Sequence, residues 1–150
     1  MNEMKDVNDI NEARELVEVV IKDEDNKIYV EICFTGSKIK LFGGLKNENE
    51  DPIDTAIREL YESYGIKFTK DNLNLIEITK DPEGNYHGVE IFYLYSLSVS
   101  NDILDIILNI SKDSNNPGIV TDYESLEKQN ILKFAIEKGK FLSKIKKALE

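Results

Sequence analysis

GGLKNENEDPIDTAIRELYESYGI, residues 43 to 66, decides how the rest of the chain is read. Ile39, Leu41 and Phe42 look like the end of a strand, and Gly43 with Gly44 is expected to break it where backbone must turn or come close to another group. Asp51 followed by Pro52 marks a helix start: an N-cap residue, then proline at the first helical position, where its missing N–H costs nothing. Ile53, Ile57, Leu60 and Tyr64 then recur at spacings of four, three and four, the apolar stripe of a helix lying on a core. Gly65 closes it as a left-handed C-terminal residue.

The polar side of this helix carries the chemistry. Glu59 and Glu62 are three residues apart and Ser63 lies four beyond Glu59, so the three project from neighbouring positions. Two carboxylates about 6 Å apart at an effective dielectric near 20 repel by about 3 kcal/mol, less where water screens them. The pair therefore reads either as part of a solvated acidic face or as a site that wants a cation. Hard divalent ions take such oxygens and keep several waters and phosphate ligands besides.

The spacing resembles the Nudix box, Gly-x5-Glu-x7-Arg-Glu-U-x-Glu-Glu-x-Gly-U with U a bulky aliphatic residue. Gly44, Glu50, Arg58, Glu59, Leu60, Glu62, Gly65 and Ile66 fall on the motif, and Ser63 stands where the second glutamate of the Glu-Glu pair belongs. The resemblance implies an α/β fold, an α/β/α sandwich with a mixed β-sheet. It also implies hydrolysis of a nucleoside diphosphate linked to another moiety, with Mg2+ or Mn2+ held by box glutamates. By the same resemblance Glu59 and Glu62 would be metal ligands, with the Gly43 carbonyl as a backbone ligand, and Glu50 and Arg58 would pair to tie loop to helix. Ser63 leaves that site one anionic ligand short. Two outcomes stay open: a two-glutamate site, helped by substrate phosphates and a loop carboxylate, still turns over, or the domain binds its ligand without hydrolysing it.

The remaining chain bounds the answer. A length of 150 residues fits one domain spanning 1–150, and 41% apolar with 32% charged residues suits a globular protein. No apolar run reaches a membrane span and Met1 to Asn11 has no signal-peptide core, so a cytoplasmic protein with no membrane partner is expected. Cys33 is the sole cysteine and His87 the sole histidine, which leaves no intramolecular disulfide, fits none of the multi-cysteine or His-Cys zinc patterns and argues against histidine-based nucleophilic catalysis. Cys33 reads as core, and His87 as a strand residue beside Tyr86. A formal charge of −10 argues against a duplex nucleic-acid surface but not against a small phosphorylated ligand. The lysines between Lys133 and Glu150 read as a solvated helix face.

In order, residues 1–15 are a short helix or loose arm. Leu16 to Ile21 and Lys27 to Cys33 form a hairpin, and Gly36 and Ser37 turn the chain into a strand from Lys38 to Phe42. After the box, Leu73 to Thr79 is a strand, and the turn from Asp81 to Asn85 leads into a long central strand from Tyr86 to about Val99, bulky on both faces. Asn101 to Ser111 has helical spacing at Ile103, Ile106, Ile107 and Ile110, an inserted helix that serves as a lid or a homodimer contact. Lys112 to Thr121 is a loop, and the resemblance implies an additional carboxylate near it; Asp113, Asp122 and Glu124 are the candidates. Residues 123–150 read as one C-terminal helix, with Leu126, Ile131, Phe134, Phe141 and Ile145 facing the sheet and Gly139 a break point.

Overall fold

A computed structural model of the chain describes residues 13–33, 38–130 and 132–150. The arm up to residue 12, the turn at Gly36 and Ser37 and the position of Ile131 lie outside the described residues. The first element, β1 (Arg14–Lys22), alternates Val17, Val19 and Ile21 with Glu18 and Val20 and runs through the middle of the sheet. Arg14 and Glu15, expected in the arm, are its first residues.

Antiparallel to β1 runs β2 (Ile28–Cys33), but the two pair only at Ile21 with Tyr29 and Lys22 with Ile28. Beyond that point they diverge, and the next stretch of chain fills the wedge: β3 (Lys38–Lys40) pairs with β2, then β4 (Phe42–Leu45) pairs with β1. The switch of partner falls at Leu41, which is buried. The glycine pair thus lies inside β4 and does not end a strand, because the backbone has neighbours on both sides: a Cβ on Gly43 would run into the Val17 carbonyl oxygen, and one on Gly44 into the Glu59 carboxylate.

The helix after the box loop, α1 (Pro52–Tyr64), matches its expected bounds, with Gly65 left-handed at φ 70° and its N–H bonded to the Tyr61 carbonyl at 2.8 Å. Asp51 occupies the N-cap position with extended backbone, but its side chain caps nothing. Beyond a short 3-10 turn, β5 (Leu73–Lys80) pairs antiparallel with β6 (Val89–Ser98), and β6 runs parallel to β1 from Glu15 opposite Ile91 to Lys22 opposite Ser98. The central position expected for β6 holds. It starts three residues later than expected because Gly84, His87 and Gly88 all have positive φ, which coils the chain and puts His87 in a turn.

Next come α2 (Asn101–Ser111), capped by the Ser100 hydroxyl accepting from the Ile103 N–H at 3.2 Å, and β7 (Gly118–Thr121), which pairs with β2 where a loop was expected. The single C-terminal helix is replaced by α3 (Tyr123–Glu127), a two-residue β8 (Lys133–Phe134) parallel to β3, and α4 (Lys138–Leu149). Gly139 is not the break. It sits in the first turn of α4, where backbone N–H groups have no intrahelical partner in any case.

Strand alternation splits the buried residues into two cores. Val17, Val19, Ile21, Leu60, Tyr64, Leu97, Leu104 and Ile107 pack between the sheet and α1 with α2. Val20, Ile28, Val30, Ile39, Leu94, Leu126, Phe141 and Ile145 pack between the other face and α3 with α4. The result is a mixed sheet with helices on both faces, the expected α/β/α sandwich. In it α2 is a packed core helix beside α1, not a flap; only Ile106 and Ile110 of its apolar residues stay exposed. No helix among the described residues is long and apolar enough to cross a membrane.

Candidate active site

Three of the acids singled out by the sequence converge on one guanidinium. Arg58 Nε donates to Glu50 Oε2 at 2.9 Å and Nη2 to Glu50 Oε1 at 3.1 Å, a two-pronged contact whose planar geometry only arginine offers. Nη2 also donates to the Leu45 carbonyl at 3.3 Å, which ties the helix to the end of β4. Nη1 donates to Glu59 Oε2 at 2.9 Å and to Glu62 Oε1 at 3.2 Å. The box loop supports this from the other side: Asn49 takes a left-handed φ of 67°, and Glu50 Oε1 accepts from the Thr55 hydroxyl at 2.7 Å and the Asn47 N–H at 3.2 Å.

The same neighbours drive the acids in opposite directions. The Arg58 hydrogen bonds, helped by Thr55 and Asn47, hold Glu50 down at about 2. Glu59 is raised above the ordinary carboxylate value because burial outweighs its contact with Arg58, and Glu62 and Glu50 add repulsion. Glu59 lies against the Gly44 backbone, its oxygens 2.6 and 2.7 Å from where a Cβ would stand, so glycine is what lets the carboxylate enter. Glu62 and Ser63, at the open end of the helix face, are exposed.

Glu31 was missed by sequence reasoning. It projects from β2 on the α1 side of the sheet, is buried, and pairs with Lys40 Nζ at 3.0 Å. Burial raises its pKa despite Lys40, and Glu59 is close enough to add to the rise. A carboxylate inside the run KIYVEIC, in register with Tyr29 and Cys33, was the available signal.

The candidate loop carboxylates lie elsewhere. Asp122 caps α3 through the Ser125 N–H at 2.8 Å and pairs with Lys27 at 3.2 Å, contacts that lower its pKa. It follows Thr121, which faces Ile28 and through it Lys22, five residues along β1 from the Val17 that faces Gly44. That is roughly 16 Å at the rise of a strand. Glu124 is exposed on α3 beside it, and Asp113 is exposed just past α2. Among the described residues, no three His, Cys, Asp or Glu side chains gather into a metal cage on their own.

Two cavities open on the α4 side. One of about 190 Å³ lies at Gly43, bordered by Glu18, Lys40, Tyr86 and His87. The other, about 690 Å³, lies between the β5–β6 ladder and α4, bordered by Tyr86, Phe92, Lys140, Lys144 and Lys147. Tyr86 borders both.

No protein-family model and no curated protein matches this sequence. Solved structures do. A mutT/nudix family protein from Listeria innocua superposes with a TM-score of 0.65 at 19% identity over 90% of each chain. MutT from Aliivibrio salmonicida and Vibrio cholerae gives 0.60 at 14% identity, over 91% of this chain and 97% of that one. NrtR of Shewanella oneidensis, crystallised with a 27mer DNA, gives 0.65 at 16% identity, over 89% of this chain and 59% of its own. The chain has the MutT/Nudix fold.

Proposed function

We propose that this chain is a metal-dependent hydrolase that cleaves the diphosphate linkage of a nucleoside diphosphate derivative. The observation that carries the reading is the cluster at Arg58: three carboxylates share one guanidinium, which leaves two negative charges uncompensated beside the Gly43–Gly44 backbone. That deficit suits a divalent cation, and oxygen donors of this kind suit Mg2+ or Mn2+. Glu59, Glu62 and the Gly43 carbonyl would hold it, with substrate phosphates completing the shell. When bound, the ion supplies charge neutralisation at the bridging oxygens and a more acidic water.

The chain's own groups do the rest. Arg58 and Glu50 lock the loop to the helix and orient Glu59, and the Gly44 backbone admits the Glu59 carboxylate. Glu59 would be the box acid that accepts a proton from water. Asp113, Asp122 and Glu124 are retained as lesser candidates for that role. The nucleoside would occupy the cavities reached from Gly43. A cytoplasmic setting and a small-molecule partner in place of duplex nucleic acid belong to this proposal, and the charge of −10 supports the second of these.

Ser63 favours a second reading, a module that binds a nucleotide without turnover, because it supplies no carboxylate at the exposed end of the cluster. A panel of nucleoside diphosphate derivatives, assayed with and without Mn2+, separates the two. The hydrolase reading expects metal-dependent release of nucleotide that disappears in Glu62→Gln. Ligand-induced thermal stabilisation with no product, and activity created by Ser63→Glu, would establish the second.

A further inference from the structure

The smaller cavity, at Gly43, is bordered by one charged group that nothing balances. Two others around it are matched: Lys40 Nζ pairs with Glu31 at 3.0 Å, and Glu18 Oε1 accepts from Lys144 Nζ, of α4, at 2.6 Å. Arg14, the first residue of β1, borders the same cavity and has no carboxylate partner among the described residues. It is held instead by a neutral group, Nη1 donating to the His87 carbonyl at 2.7 Å. That carbonyl lies in the turn where Gly84, His87 and Gly88 take positive φ. A bond to a carbonyl fixes the direction of the guanidinium without neutralising it, and leaves other N–H donors of the planar fork unused. The Gly43–Gly44 backbone thus has uncompensated negative charge at the Arg58 cluster and uncompensated positive charge at the cavity, on a chain whose formal charge is −10.

We propose that Arg14 binds a phosphate of the substrate directly, so that the chain holds a diphosphate even without a metal ion. The free part of the guanidinium fork matches two oxygens of a phosphate group. A cation at the Arg58 cluster and an anion at Arg14 reproduce the polarity of a divalent ion bridged to a diphosphate. The smaller cavity is thereby reserved for the phosphate, and the larger one is left for the nucleoside. Binding without the ion is the distinctive consequence: with only the box acids near the substrate, a metal-free chain of this charge would repel pyrophosphate. Since ion and anion then lie side by side, each tightens the binding of the other by the same factor.

This inference rests on the proposed function for the identity of the anion, and the experiment keeps the two separable. The full chain is titrated with inorganic pyrophosphate in the presence of EDTA, at low and raised salt, and separately with Mn2+ alone; turnover of nucleoside diphosphate derivatives is measured in parallel. Wild type is expected to bind pyrophosphate in EDTA, and more weakly as salt rises. Arg14→Gln is expected to weaken that binding roughly tenfold or more, while its melting temperature and its affinity for Mn2+ alone stay near wild type. Arg14→Lys, which keeps the charge and loses the fork, is expected to fall between the two. Should Arg14→Gln fail to fold, Arg14→Lys carries the comparison, and pyrophosphate affinity equal to wild type in it overturns the inference. No binding by wild type in EDTA, or equal binding by a folded Arg14→Gln, overturns it even if the chain hydrolyses its substrates with Mn2+. Metal-free pyrophosphate binding that depends on Arg14, with no turnover, sustains the inference and sinks only the hydrolase reading.

Discussion

Glu50 and Glu59 touch the same arginine and end with opposite acid strengths, and each difference can be measured. Glu50 has its folded pKa depressed to about 2, so its stabilisation is present above the ordinary carboxylate value of 4.5 and is lost as pH falls towards about 2. The melting temperature should therefore drop over that interval, and in Glu50→Gln the drop should be shallower from a lower starting point. Gly44→Ala tests the neighbouring carboxylate. The obstacle to the new methyl is the flexible end of Glu59, so the fold should survive while Glu59 is displaced. We expect a melting temperature near wild type with Mn2+ affinity about tenfold or more weaker by titration; unchanged affinity would remove Glu59 from the metal site. At this scale the box residues were legible because their chemistry is encoded in short spacings on one helix. Glu18 and Glu31 were not, since an acid in a strand reads as solvent-facing until its partner is known, and Lys144 is 126 positions away from Glu18.

Elements were legible where pattern and partner agree. Helix α1 carries its own start, stripe and stop, and its bounds followed from them. The strand through the glycine pair did not read correctly, because glycine in sequence signals a bend while here it answers to close neighbours supplied by β1 and α1. The C-terminal stretch failed for a related reason. Its apolar residues are spaced as for one helix, yet Ala135 N–H bonds to the Ile39 carbonyl at 2.9 Å and Lys133–Phe134 joins the sheet, a non-local capture that helical periodicity does not reveal. Gly139 makes the point testable. It is exposed in the first turn of α4 with nothing within 4 Å of where a methyl would stand, so Gly139→Ala should raise stability modestly, by up to about 0.5 kcal/mol in urea denaturation, whereas a break residue would lose stability.

For the molecule as a whole, the architecture was readable in outline from one motif and strand alternation, and the solved structures share it at identities of 14–19%. What alternation could not supply was which carboxylates fall inside, because burial is decided by how the layers stack. The central strand β1 sends successive side chains to opposite layers, Val17 and Val19 to one and Val20 to the other. Neither half of the sandwich can melt while the other keeps its packing, since each shares the same backbone segment. Heating should accordingly produce a single endotherm whose calorimetric and van't Hoff enthalpies agree, and a nucleotide seated on one side of the sheet would stiffen the far side as well.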